Sequence, residues 1–200
     1  NSRRNAVANR TREVLYFEDA GPQHTDATLR LAIGALQERR ATHLVVASGG
    51  ETVVKAARMV KASDVPETPV IGVTLQAGTW SEYGTPDRGK LEEAKRLGAT
   101  ILTCTHALMG NVESAIGKKF GGIPPSELVA HTLYIFSQGT KVAVEISMSA
   151  VDAGLVPAGA TVVSVAGTTS GADTAYVLKA VSTVDFFDLR VMELICKPYT

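Results

Sequence analysis

Apolar positions along the chain alternate between strand-sized runs and segments of helical period. "EVLYFE" (Glu13–Glu18) reads as a strand, and "GPQH" after it as a turn. Thr25 is placed to cap a helix whose Leu29, Ala32, Ile33 and Leu36 share one face. "HLVVAS" is the next strand, followed by a helix that turns Val53, Ala57 and Val60 inward. "PVIGVTL" (Pro69–Leu75) is a third strand, and the polar loop "QAGTWSEYGTPD" leads into the charged helix "DRGKLEEAKRLG", with Gly98 suited to its C-terminal turn. "TILTCTH" (Thr100–His106) is a fourth strand. A helix to about Phe120 is broken by "GGIPPSEL" and restarts at Pro125-Ser126. "KVAVEIS" (Lys141–Ser147) alternates and is predicted as a strand, with Val142, Val144 and Ile146 on one face and Glu145 on the other. "TVVSVAG" (Thr161–Gly167), "AYVLKAV" (Ala175–Val181) and "RVMELICK" complete the strands.

Val- and Ile-rich strands alternating with helices predict a three-layer α/β/α sandwich around a mixed, mostly parallel sheet. The last strands have no helices between them, so the sheet turns antiparallel there. Residues 1–12, "NSRRNAVANRTR", read as a loose arm, and 13–200 as one domain without repeat or linker.

Composition narrows the function. The 20 basic and 20 acidic residues cancel, which argues against a nucleic-acid or anionic-membrane footprint. No apolar run reaches the ~20 residues of a membrane span. The two cysteines, Cys104 and Cys196, lie in apolar runs, which suits buried thiols in a reducing, cytoplasmic setting.

The sharpest local feature is Ser48-Gly49-Gly50-Glu51-Thr52, where a strand stops and a helix starts. A helix N-terminus offers unpaired N–H groups and partial positive charge, which suits a phosphate. A helix cap alone is the competing reading. Glu51 would repel an anion if it pointed inward, and Lys55, one turn on, is the basic residue placed to compensate. The motif is neither a P-loop nor GxGxxG. His106, with Glu113, Glu145 and Asp152 as carboxylate partners, is a candidate acid–base or metal group. Glu145 is equally suited to accepting backbone N–H bonds. Without HExxH or CxxC no metal site is expected. Asp173 in "GADT" reads as a turn-former bonding its own backbone.

"HLVVASGGETVVKAARMVKASDVPETPVIGVTL" resembles the C-terminal domain of pyruvate kinase. "DAGLVPAGATVVSVAG" and "SGADTAYVLKAV" continue the likeness. "HALMGNVESAIGKKFGG", "KVAVEISMSAVDAG", "GADTA" and "ELICKP" resemble small stand-alone archaeal and bacterial proteins of that superfamily. The resemblance implies a core strand order 3-2-1-4-5, the fifth strand antiparallel, with "HLVVAS" as strand 1 and "TVVSVAG" as strand 4. The order reverses between them, where open α/β sheets bind ligands. Ser48–Thr52 would form one lip of that crevice and Gly167, Thr168, Thr169, Ser170 and Gly171 the other, with Thr74 and Gly78 alongside.

The ligand implied is flavin mononucleotide (FMN), with which the stand-alone relatives are associated. Trp80 or Tyr83 is then a candidate to cover its ring, and Trp80 alternatively anchors its loop. The alternative is a non-enzymatic sensor of a phosphorylated metabolite such as a sugar phosphate, and the pyruvate kinase domain also implies subunit contacts, hence a homo-oligomer. The relatives' basic residues in these loops are replaced here by Gly50, Glu51, Thr168 and Ser170. The barrel that carries pyruvate kinase catalysis is absent, so the chain is not a complete pyruvate kinase.

Overall fold

The computed structural model describes residues 9–199. The predicted arm therefore lies outside the described residues up to position 8, and residues 9–12 have no regular structure. The strands are β1 (Leu15–Phe17), β2 (His43–Ala47), β3 (Val70–Thr74), β4 (Thr100–Thr103), β5 (Thr161–Ala166), β6 (Thr174–Lys179) and β7 (Arg190–Pro198), and the α-helices α1 (Thr25–Arg39), α2 (Glu51–Lys61), α3 (Trp80–Tyr83), α4 (Arg88–Arg96), α5 (Val112–Phe120), α6 (Pro125–Tyr134) and α7 (Gln138–Asp152). They form one seven-stranded sheet in the order β1-β7-β6-β5-β2-β3-β4. The segment β4-β3-β2-β5-β6 reproduces the expected order 3-2-1-4-5. Pairing is parallel from β4 to β5, and β6 is antiparallel to β5. β7 runs antiparallel to β6, with register shifts, and β1 parallel to β7.

Strand alternation splits the core in two. Leu44 and Val46 of β2, with Val163 and Val165 of β5, face α1 (Thr25–Arg39) and α2 (Glu51–Lys61). Val45, Ile71, Val73 and Val162 face the opposite way, onto Ala143, Ile146 and Ala150 of α7 (Gln138–Asp152). Leu29, Leu36 and Leu44 are fully buried, and each such side chain contributes about 1.5–3 kcal/mol. α4 (Arg88–Arg96) packs on α2 through Ala94 and Leu91. α6 (Pro125–Tyr134) covers the outer side of α7, where Ala130 meets Val144 and Met148.

α7 corrects the sequence reading. "KVAVEIS" is helix, not strand, and Glu145 lies on a buried helical turn. α7 is enclosed by the sheet inside and α6 outside, so every residue from Ala143 to Ala150 is buried. Burial on all sides removes the 3.6-residue polarity signal and leaves an accidental alternation of valines. The helix keeps its start signal: Ser137 accepts the Thr140 amide at 2.9 Å.

Other differences are smaller. "TILTCTH" is strand only to Thr103, so Cys104 and His106 lie on the loop beyond β4. Thr25 does not cap α1; its Oγ1 donates to the Pro22 carbonyl at 2.7 Å and accepts the Ala172 amide at 3.0 Å. Asp173 does not bond its own neighbours alone. Fully buried, it accepts Gly21 N at 3.0 Å, Thr168 N at 3.1 Å and Thr174 Oγ1 at 2.8 Å, tying three segments together. No helix among the described residues is long and apolar enough to cross a membrane.

Candidate functional site

β2 and β5 are parallel neighbours, and the chain leaves them in opposite directions along the sheet. Their carboxyl ends therefore open a crevice that no crossover helix fills. A cleft of about 1220 Å³ occupies it. Ser48, Gly49, Gly50, Glu51 and Thr52 line one side, and Gly167, Thr169, Ser170 and Gly171 the other. Thr74, Gly78, His106 and Glu145 also line it. Thr168 does not; its amide is instead held by Asp173.

The Ser48 turn is built from its own hydroxyl. Ser48 Oγ accepts the amides of Gly50 and Val53, each at 3.0 Å, while Ser48 N donates to the Val73 carbonyl at 2.9 Å. Gly50 adopts φ 141°, and a Cβ there would lie 2.8 Å from Lys90 Cβ, so only glycine fits between the turn and α4. Among the described residues, the amides of Gly49, Glu51 and Thr52 have no protein acceptor. Helix capping thus uses two N–H groups of this turn and leaves three.

Charge at this lip is arranged differently from the sequence expectation. Lys55 turns away and pairs with Asp26 at 2.9 Å. Lys90 takes its place: it lines the cleft and sits 3.1 Å from Glu51, offsetting that carboxylate. The hydrogen bond from Lys90 to Glu51, then their attraction, raises the Lys90 pKa above its ordinary value. The opposite lip carries the backbone strain. Thr169 has φ 64°, a conformation that costs a β-branched residue roughly 1–2 kcal/mol. Gly171 holds φ 67° beside Thr25 Oγ1 and Pro22, where a Cβ would come within 2.5 Å.

The loop from Gln76 contributes Gly78 and Tyr83 to the cleft but not Trp80, whose Nε1 donates to the Leu75 carbonyl at 2.8 Å. Trp80 is therefore a loop anchor. Of the carboxylates considered for His106, Glu113 accepts Ser126 N at 2.9 Å and Asp152 accepts Thr183 N at 3.0 Å. Glu145 alone reaches the histidine, with Oε2 3.8 Å from His106 Nδ1. Its Oε1 accepts the amides of Leu108 and Met109 at 2.8 and 3.3 Å. Sequence reasoning missed Lys141, whose Nζ lies 2.5 Å from Glu145 Oε2. The four-residue spacing of Lys141 and Glu145 was the available signal, hidden by the strand reading of that segment.

No protein-family model matches the chain. Among solved structures it is similar to the NH3-dependent NAD synthetase from Campylobacter jejuni subsp. jejuni NCTC 11168 in complex with the nitrate ion, at 15% identity and a TM-score of 0.25. The match covers 57% of this chain and 47% of that one, so the chain spans less than half of that protein, and a likeness at this level carries no argument.

Proposed function

We infer that the cleft binds a phosphorylated small molecule, its phosphate resting on the free amides that begin α2. The observation that carries this reading is the set of unpaired N–H groups at Gly49, Glu51 and Thr52, on a cleft that Thr169 and Ser170 also line. An anion at a helix start gains roughly 0.3–1 kcal/mol from the helix dipole, rising to ~2 kcal/mol where partly buried. Hydrogen bonds from three amides add to this.

FMN is the ligand to test first. The cleft exceeds the ~300–1,000 Å³ common for small-molecule sites, so its size admits a mononucleotide. Thr52, Thr169 and Ser170 suit its phosphate, and Tyr83 and Tyr134 are the aromatic side chains on the walls. When bound, a flavin supplies one- or two-electron transfer. The resemblance to stand-alone relatives of the pyruvate kinase C-terminal domain supports this choice, and free thiols at Cys104 and Cys196 suit a reducing, cytoplasmic setting. A second reading, a sensor of a phosphorylated metabolite such as a sugar phosphate, is favoured by Trp80: it is committed to Leu75 and absent from the cleft wall.

Protein purified without added cofactor separates these. A retained yellow chromophore, or a rise in melting temperature with FMN that exceeds the rise with riboflavin, supports flavin binding through phosphate. Stabilisation by fructose 1,6-bisphosphate, without response to FMN, supports the sensor. No response to any phosphate ester overturns both.

A further inference from the structure

We propose that Lys141, Glu145 and His106 form a proton-transfer centre in the cleft, acting on a phosphorylated carbonyl compound whose phosphate the Ser48 turn holds. The proposal rests on the phosphate-binding reading and adds a reaction to it.

The two sites share one strand end. Ser48 N is fixed to the carbonyl of Val73, and His106 Nε2 lies 3.3 Å from the carbonyl of Thr74, the next residue of β3. Successive Cα atoms are about 3.8 Å apart, so cradle and imidazole hang from neighbouring points of one rigid element. A carbonyl only accepts, so the hydrogen bond to Thr74 requires a proton on Nε2, and the proposed base is Nδ1. That atom faces Glu145 Oε2 at 3.8 Å, which stabilises the imidazolium once Nδ1 is protonated. Gln76 Oε1 holds the His106 backbone amide at 3.3 Å.

Glu145 divides its two oxygens. Oε1 is spent on loop amides, while Oε2 meets the Lys141 ammonium and faces the histidine. Lys141 is 4% exposed, yet it lines the cleft, and among the described residues its three N–H donors have one acceptor, Glu145. A nearly buried cation with donors to spare is placed to receive oxygen charge.

The step needs no external reagent. His106 Nδ1 takes a proton from the carbon beside the substrate carbonyl. The C–H electron pair becomes the C=C bond of an enolate, and the carbonyl π pair moves to oxygen, opposite Lys141. Reversal returns the proton to carbon. His106 and Lys141 touch substrate; Glu145 positions both.

Dihydroxyacetone phosphate and glycerol 3-phosphate, alike in phosphate and differing in the carbonyl, serve as probes in D2O. Phosphorus NMR reports binding, and proton NMR reports exchange of carbon-bound hydrogen. The proposal expects both probes to broaden on binding and only the ketose phosphate to exchange above its protein-free rate. His106→Gln should slow that exchange about 100-fold or more with an unchanged half-saturating concentration. Glu145→Gln should lower the maximal rate while binding is retained. A ketose phosphate that binds without exchanging, or exchanges equally in His106→Gln, overturns the proton-transfer centre and leaves the phosphate cradle standing. Absence of binding by either probe removes both. Should His106→Gln not fold, the imidazole nitrogen resonances of the wild-type protein decide: one histidine responding to the ketose phosphate supports the proposal, and none responding overturns it.

Discussion

Replacing Lys141 by Met, or Glu145 by Gln, should destabilise the fold far more than the surface ion pairs do. The two groups lie 2.5 Å apart with side chains 5% and 1% exposed. At an effective dielectric constant of 20 their attraction is roughly 6–7 kcal/mol. Desolvation offsets much of it, so removing one partner, which strands the other charge, costs about 3–5 kcal/mol. Glu145→Gln keeps an oxygen for the Leu108 amide, so its loss reports chiefly the charge. In a chain of 200 residues this corresponds to a melting temperature lower by about 6–20 °C. The double variant removes both charges, so its cost should fall short of the summed single costs by at least about 2 kcal/mol. Urea unfolding of wild type, both single variants and the double variant completes the cycle. Single costs below about 1 kcal/mol, or strict additivity, would refute a buried, coupled pair.

Asp173→Ala orphans the buried Gly21 amide and the part-buried Thr168 amide, while Thr174 Oγ1 keeps Ser137 Oγ; the cost should be about 1–3 kcal/mol for the Gly21 donor and less for Thr168, and amide exchange should show Thr168 opening more than the β5 core. Thr169→Gly relieves a positive φ and should stabilise the protein by about 1 kcal/mol, read as a higher melting temperature; an unchanged or lower one contradicts strain at this residue. Glu193 accepts two Arg39 N–H groups at 2.6 and 2.7 Å, and that bonding, then attraction to Arg39 and Arg12, holds its carboxyl below the usual range. A depressed folded pKa gives stability that is full above the unfolded value of about 4.3 and is lost as pH falls through the folded one. The deficit of Glu193→Gln in urea midpoint should therefore be present at neutral pH and shrink below about pH 4; a constant gap contradicts the pairing.

The sheet was legible because its strands alternate against two buried faces: Leu44 and Val46 on one side, Val45 on the other. The Ser48 lip was legible as well, since a strand that stops at Ser-Gly-Gly before an amphipathic helix leaves little choice of backbone path. α7 was not. Its polar residues are buried, Lys141 and Glu145 answering each other and Ser147 and Ser149 donating back to the carbonyls of Val144 and Glu145, so polarity no longer marked an outer face. Its end signals, the Ser137 cap and Gly154 at φ 70° just past the last turn, did not enter the strand reading of the segment. The partner of Glu51 was hidden for a different reason. Lys90 reaches it from a helix 39 positions further along the chain, through packing that no local pattern encodes.

Binding of phosphate at the start of α2 can be read residue by residue by amide-resolved NMR during titration with inorganic phosphate. The Gly49, Glu51 and Thr52 resonances should shift together with one dissociation constant, while Gly50 and Val53, already bonded to Ser48 Oγ, move less. Saturable shifts confined to other parts of the molecule, with those three amides unmoved, would contradict that binding.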